Sequence, residues 1–326
     1  MKTLKQNQLG VVQPLPHSLT GAAVLADFRI WGRSLAYRVG ATVVAYASLL
    51  KLRSATLNSL SALMGMLLAI GSGSSWGTAF ILFASVWLAA AGSGALNSYL
   101  DRDIDKVMYR TSCRPLPLGR IKSAEKALYA GILLVIIGLI ISAVWLSLLA
   151  TLFIALGAAI YIFVYTMWLK RKTPWSIVIG GLAGSCALLA GWFSVTNSFG
   201  LSPLLFSIFI FLWTPGHFWG LAIRTKDDSE RAGIPKLPTI YGKRVTAQWA
   251  ALANIALVPF SVIPYVLGIL NEAYLFIAVI AGLIVLVANT KLYFAPTDQR
   301  AWTVFKLSSP YLAIVYMAVA IDVLLL

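Results

Sequence analysis

Long apolar stretches broken by short polar ones set the first reading of this chain. A helix needs about 20 mainly apolar residues to cross the hydrocarbon core of a bilayer. Nine segments meet that requirement: 55–71, 78–98, 127–147, 148–168, 175–195, 201–222, 246–267, 273–293 and 303–325. The first is diluted by Asn58, Ser59 and Ser61, and the third and fourth part only at a tight turn near Leu146–Ser147. The pattern predicts an all-α polytopic membrane protein, with nine transmembrane helices around a central cavity. Residues 1–40 read as an N-terminal segment, poorly ordered or interfacial, and 41–326 as a single intramembrane domain. The first 50 residues hold no apolar run of the length and purity of a secretory signal. A basic organellar presequence stays open, because Asp27 is the only acid there.

Composition agrees. Of 326 residues 60% are apolar and 11% charged, against about 25% charged in a soluble domain, which excludes an ordinary soluble enzyme. The net charge of +15 would suggest nucleic acid in a soluble chain, but its placement says otherwise. All 26 Lys and Arg fall in the N-terminal stretch through Arg53 and in the loops after spans 2, 4, 6 and 8, or at their edges. By the positive-inside rule the N-terminus is cytoplasmic and the C-terminus lies across the membrane. That membrane is the bacterial inner membrane, or the mitochondrial inner membrane in a eukaryote. The partner is the lipid bilayer, with no nucleic acid. Cys113 and Cys186 form no CxxC and have no Cys/His cluster beside them.

The acids are more telling, since they contribute little to topology. All of the 11 except Glu272 and Asp322 share the basic face. Six form two clusters, Asp101-Asp103-Asp105 after span 2 and Asp227-Asp228-Glu230 after span 6. Asn97, Asp101 and Asp105 are spaced i, i+4, i+8, one above another on a helix face. Two carboxylates and an amide oxygen so aligned suit Mg²⁺, which takes one or two carboxylates and fills its shell with water and substrate phosphate oxygens. Arg102, Lys106, Arg110 and Arg114 lie alongside, able to pair with a diphosphate. The alternative for such a cluster is a solvated helix end laced with i, i+4 charge pairs.

The Asn-x-x-x-Asp-x-x-x-Asp motif and the second acidic loop resemble the UbiA superfamily of intramembrane prenyltransferases. Three strings carry the resemblance: NSYLDRDIDKVMYRTSCRPLPLGRI at 97–121, YTMWLKRKTPWSIVIGGLAGSCALLAGW at 165–192 and FLWTPGHFWGLAIRTKDDSERAGIPKLPTIYG at 211–242. They are most similar to the haem-modifying branch, the protohaem IX farnesyltransferases (haem O synthases). Thr225 and Ser229 stand where the superfamily often has a second DxxxD, and Lys236 stands where Met is usual in that branch. Gly216 replaces a common Pro, and Ser229 a frequent Tyr.

The resemblance implies transfer of a farnesyl group from farnesyl diphosphate to a vinyl group of haem B, giving haem O and diphosphate. Haem B is then a substrate, and Mg²⁺ the cofactor. It implies one Mg²⁺ on Asn97, Asp101 and Asp105, and a second ion or its water shell on Asp227 and Asp228. The diphosphate falls to Arg110, Arg114, Lys170 and Arg171, with Arg224 and Lys226 as further candidates. His217, the intramembrane histidine, is expected against haem or diphosphate. Association with haem A synthase or other terminal-oxidase assembly factors fits the same reading. Three rivals remain: a prenyltransferase for another acceptor, of 4-hydroxybenzoate or chlorophyllide type, a secondary transporter for an anionic substrate, and a binding-only haem chaperone, which would not need two acidic clusters. Elsewhere, Gly180 and Gly184 read as a close-packing pair, and Pro215, Pro259 and Pro264 as helix bends.

Overall fold

The computed structural model describes residues 42–69 and 75–325. Contacts group the chain from residue 45 onward as one unit, and the expectations for residues 1–40 lie outside the described part. The helices are α1 (Leu52–Leu67), α2 (Trp76–Leu100), α3 (Arg102–Val107), α4 (Ala124–Trp145), α5 (Leu148–Ala159), α6 (Ser176–Phe193), α7 (Leu201–Arg224), α8 (Lys226–Arg231), α9 (Leu237–Ile240), α10 (Gly242–Phe260), α11 (Glu272–Phe294) and α12 (Asp298–Leu325). α5 runs on through a π-helical stretch, Ile160–Trp168, and a 3₁₀ turn, Leu169–Arg171.

Among the described residues eight helices are long and apolar enough to cross a membrane, and they coincide with expected spans two to nine. The first expected span is the 16-residue α1, shorter than a full crossing needs. Its start is set at Lys51, whose backbone is left-handed (φ 51°). α2 and α5 begin on serine caps: the Oγ of Ser75 accepts the Thr78 N–H at 3.1 Å and that of Ser147 the Ala150 N–H at 3.0 Å. The second cap stands at the tight turn expected near Leu146–Ser147. Pro215 sits inside an unbroken α7, whereas α10 stops just past Pro259 and Pro264 lies in the separate turn Ile263–Val266.

The helices close on one another in two sets. α2 packs on α4, α4 on α5, α5 on α6, and α1 bridges α2 and α6. α7, α10, α11 and α12 pack in sequence, with α12 returning to α7. The sets meet through α6 with α7 and α12 with α1. Backbones come closest between α1 and α6: a Cβ on Gly191 would lie 1.7 Å from the Ala62 carbonyl oxygen, and one on Gly65 1.9 Å from that of Leu188. The expected glycine pair serves two neighbours instead, Gly180 against the Tyr165 ring and Gly184 against Ile210.

Asp322, one of the two acids off the basic face, fastens α12 to α11. It is buried, and its carboxylate accepts the Asn271 N–H at 3.0 Å, the Asn271 side-chain amide at 3.2 Å and the Tyr274 N–H at 3.4 Å. A carboxylate on the free N–H groups of a helix start satisfies them and meets the positive end of its dipole. Asp322→Ala strands these donors, at a cost of about 1–3 kcal/mol. A lower melting temperature in detergent, with Asp322→Asn falling between, is the expected result.

Candidate functional site

α2 ends at Leu100 and α3 begins at Arg102, with Asp101 at the joint (φ −91°, ψ 3°). The i, i+4 backbone bonds carry on across it: the Asp101 N–H donates to the Asn97 carbonyl at 2.9 Å and the Asp105 N–H to the Asp101 carbonyl at 2.8 Å. Asn97, Asp101 and Asp105 therefore stay stacked on one face, only 3%, 1% and 3% exposed. Asp103 points the other way, toward solvent.

An oxygen of each of the three buried side chains accepts from its own cation. The Lys51 ammonium donates to the Asn97 Oδ1 and, at 3.3 Å, to the Tyr161 hydroxyl. Lys170 donates to Asp101 Oδ2 at 2.5 Å and Arg114 to Asp105 Oδ2 at 2.7 Å. The Asn97 Nδ2 donates to the Thr166 hydroxyl at 2.9 Å, which leaves its oxygen turned toward Lys51. The other oxygen of Asp101 is buried without a hydrogen-bond partner among the described residues. An orphaned carboxylate oxygen at such depth is costly, and it fits a ligand position for a hard cation. A small cavity of about 10 Å³ lies between Ser48–Leu49, Ser98 and Pro115–Pro117, beside Asp105 and Arg114.

The π-helical end of α5 brings the opposite wall. Thr166 donates to the Tyr161 carbonyl, five residues back, at 2.7 Å, and the Tyr161 and Tyr165 rings stack with centroids 5.8 Å apart. π-turns recur at functional sites because they re-aim side chains. This one puts Tyr161 and Thr166 on the Asn97 side, and the 3₁₀ turn after it delivers Lys170 and Arg171. Arg171 clamps Asp103 through both guanidinium nitrogens at 2.7 and 2.8 Å and donates to the Leu100 carbonyl at 3.0 Å. That clamp holds the Asp103 carboxyl down at about 2.

The second acidic loop reaches the first by a different route. Asp228, buried in α8, accepts the N–H groups of Tyr109 and Arg110 at 2.9 and 3.0 Å and the Arg231 guanidinium at 2.8 Å. It thereby pins the loop that carries Arg110 and Arg114, and Arg110 lies within electrostatic reach of both Asp105 and Asp228. Asp227 is exposed. Lys236 also borders the cluster. Burial first, then the positive charges of Arg110 and Lys170, push its ammonium down to about 8, against the pull of Asp228.

Three expected site residues find partners elsewhere. The Arg224 guanidinium lies over the Trp302 ring, 4.7 Å from its centroid, and Lys226 pairs with Glu230 at 2.6 Å. His217 is buried between Trp213 and Phe305, each 4.5 Å away by ring centroids, with Nδ1 2.5 Å from the Ser308 hydroxyl. Conversely, sequence reasoning missed Lys51, Tyr161, Tyr165 and Thr166. Lys51 counted there only as a topology charge, and nothing in the apolar run at 160–168 announces a π-turn. Among the described residues no three His, Cys, Asp or Glu side chains gather as a metal-holding group. The protein's own donors at the cluster are two carboxylates and an amide, the number Mg²⁺ takes when a diphosphate supplies the rest.

The model of the UbiA prenyltransferase family matches residues 58–310. The chain belongs to that family. It is 39% identical over 292 residues to the protoheme IX farnesyltransferase of Metallosphaera sedula, covering 87% of this chain and 98% of that one. With the protoheme IX farnesyltransferase of Sulfurisphaera tokodaii it shares 39% over 299 residues, 90% and 97% of the two chains. Among solved structures, a digeranylgeranylglyceryl phosphate synthase superposes with TM-score 0.72 at 22% identity, over 87% of this chain and 99% of that one. A UbiA homologue from Archaeoglobus fulgidus bound to DMAPP and Mg²⁺ gives 0.65 at 17%, over 85% and 99%. The UbiA fold is thus shared, and the chain is an integral, multi-pass prenyltransferase.

Proposed function

We propose that this UbiA family member transfers the farnesyl group of farnesyl diphosphate to a vinyl group of haem B, giving haem O and diphosphate, with Mg²⁺ as cofactor. The acceptor and donor follow the relatives' names. The observation that carries the site assignment is Asp101: buried, one oxygen on Lys170, the other without a partner, and stacked between Asn97 and Asp105. The basic face, which bears the site, is cytoplasmic in this reading.

Asn97, Asp101 and Asp105 would hold Mg²⁺, which when bound neutralises charge on the leaving diphosphate. Lys170 and Arg114, which already touch the two carboxylates, turn to the diphosphate oxygens, joined by Arg110 and Lys236. Their positive charges favour the state in which the allylic C–O bond has broken and the diphosphate has gained charge. The stacked Tyr161 and Tyr165 rings stand on the Asn97 side of the cluster, where in this reading they keep water from the farnesyl cation until it meets the haem vinyl group. The vinyl carbon bonds to the farnesyl carbon, and a water molecule takes the new cationic centre as a hydroxyl, losing a proton. No side chain acts as a nucleophile. Asp228 serves by holding the Arg110–Arg114 loop in place.

An acceptor panel tests the reading. Purified protein with farnesyl diphosphate and Mg²⁺ is expected to prenylate haem B and leave 4-hydroxybenzoate and chlorophyllide unchanged. A product from either of the latter, with haem untouched, overturns it.

Lys236 gives the reaction an alkaline limit. A lysine lowered to about 8 is charged below that pH and neutral above, so kcat/KM for farnesyl diphosphate, which reports the free enzyme, should fall through that range. Lys236→Met should flatten that limb and lower kcat/KM at pH 7 by about tenfold, one charge-assisted contact.

A further inference from the structure

Among the described residues Lys51 makes no ion pair. Its ammonium reaches the Asn97 oxygen and the Tyr161 hydroxyl, while Lys170 and Arg114 take the carboxylates. Its backbone is the one non-glycine positive φ among those residues, at 51°. Such a conformation costs free energy and persists where the surroundings impose it. Here it turns the side chain, at the foot of α1, into the gap between α2 and the π-helical end of α5. The amide of Asn97 is turned to match, its Nδ2 spent on Thr166. Asp101 keeps one oxygen unpartnered beside it.

We infer that Lys51 is a placeholder for the metal: it occupies the Asn97 ligand position until a diphosphate arrives, so that Mg²⁺ enters with the diphosphate and not before. The inference rests on the metal site proposed above. An ammonium and a divalent cation compete for the same oxygen, and their repulsion at close range lowers affinity for the bare ion. A diphosphate reverses the balance, since it brings further oxygen ligands for the metal and an anion to which Lys51 can swing. The device spares the empty site a tightly held ion that would have to be stripped before haem and diphosphate exchange.

The test is metal binding rather than turnover. Mn²⁺, in place of Mg²⁺, is titrated into the purified protein and followed by electron paramagnetic resonance, with and without the non-reacting analogue farnesyl thiodiphosphate. Wild type should bind Mn²⁺ weakly alone and much more tightly with the analogue. Lys51→Met should bind Mn²⁺ alone about tenfold more tightly and lose most of the analogue's enhancement. Lys51→Arg, which keeps the charge, should behave as wild type, and should one variant misfold, Lys51→Gln replaces it. Unchanged or weaker Mn²⁺ affinity in Lys51→Met and Lys51→Gln overturns the placeholder while leaving the metal site standing. Wild type that binds no Mn²⁺ even with the analogue, or Asp101→Asn that binds it as wild type does, overturns the metal site and the inference with it.

Discussion

Asp101→Asn is expected to cut haem farnesylation by two to three orders of magnitude, the size of losses seen when one group that stabilises developing charge is removed. The amide keeps the volume and can still accept from Lys170, so the fold should survive. What it loses is the charge and the free oxygen at the centre of the Asn97–Asp101–Asp105 row. Removing one charge of the buried Lys170–Asp101 pair leaves the ammonium without its counter-ion, so a melting temperature below wild type is the expected companion. The loss should fall mainly on kcat, because the charge is needed most as the C–O bond breaks. Asp103→Asn is the internal control. Asp103 lies in the same cluster but faces solvent, clamped by Arg171, and exposed ion pairs contribute little, so its rate should stay within about threefold of wild type. Near-wild-type turnover in Asp101→Asn would remove the assignment.

The second acidic loop separates two roles that its sequence leaves merged. Asp228→Ala strands the Tyr109 and Arg110 N–H groups, each costing about 1–3 kcal/mol, and frees the loop that bears Arg110 and Arg114. The expected result is a drop of 10- to 100-fold in kcat/KM, carried largely by KM for farnesyl diphosphate, together with a lower melting temperature. Asp227→Ala, at an exposed position, should change either quantity by no more than about threefold. Steady-state kinetics and thermal unfolding in detergent check both. If Asp227→Ala lost as much activity as Asp228→Ala with no loss of stability, the loop would be acting as a metal ligand set and not as a clasp.

Much of the fold is legible in the amino-acid sequence. Spans two to nine follow from apolar length alone, because a bilayer imposes one requirement on every crossing helix. The i, i+4, i+8 row is legible because helical geometry is periodic, and it survives the joint at Asp101 because the backbone bonds there continue. The partners of that row are not. Lys51 reaches it through a left-handed turn, which leaves no mark of its own beside the charges of Lys51 and Arg53, and Tyr161 and Thr166 through a π-turn inside an unbroken apolar run. The neighbours of the charged residues are not legible either: the Arg224 guanidinium lies over the Trp302 ring and Lys226 pairs with Glu230. The hold of Asp228 on the Tyr109 and Arg110 N–H groups is hidden as well, because backbone groups carry no sequence signature.

The most direct test of the proposed chemistry is a mass spectrum. Purified protein, farnesyl diphosphate, haem B and Mg²⁺ are combined in water enriched in heavy oxygen, and the haem is extracted. The expected product is a haem carrying one farnesyl group and one hydroxyl bearing the solvent label, formed with release of diphosphate and abolished by chelation of Mg²⁺. Unchanged haem alongside labelled farnesol, from a site that ionises the diphosphate without reaching the vinyl group, would contradict it.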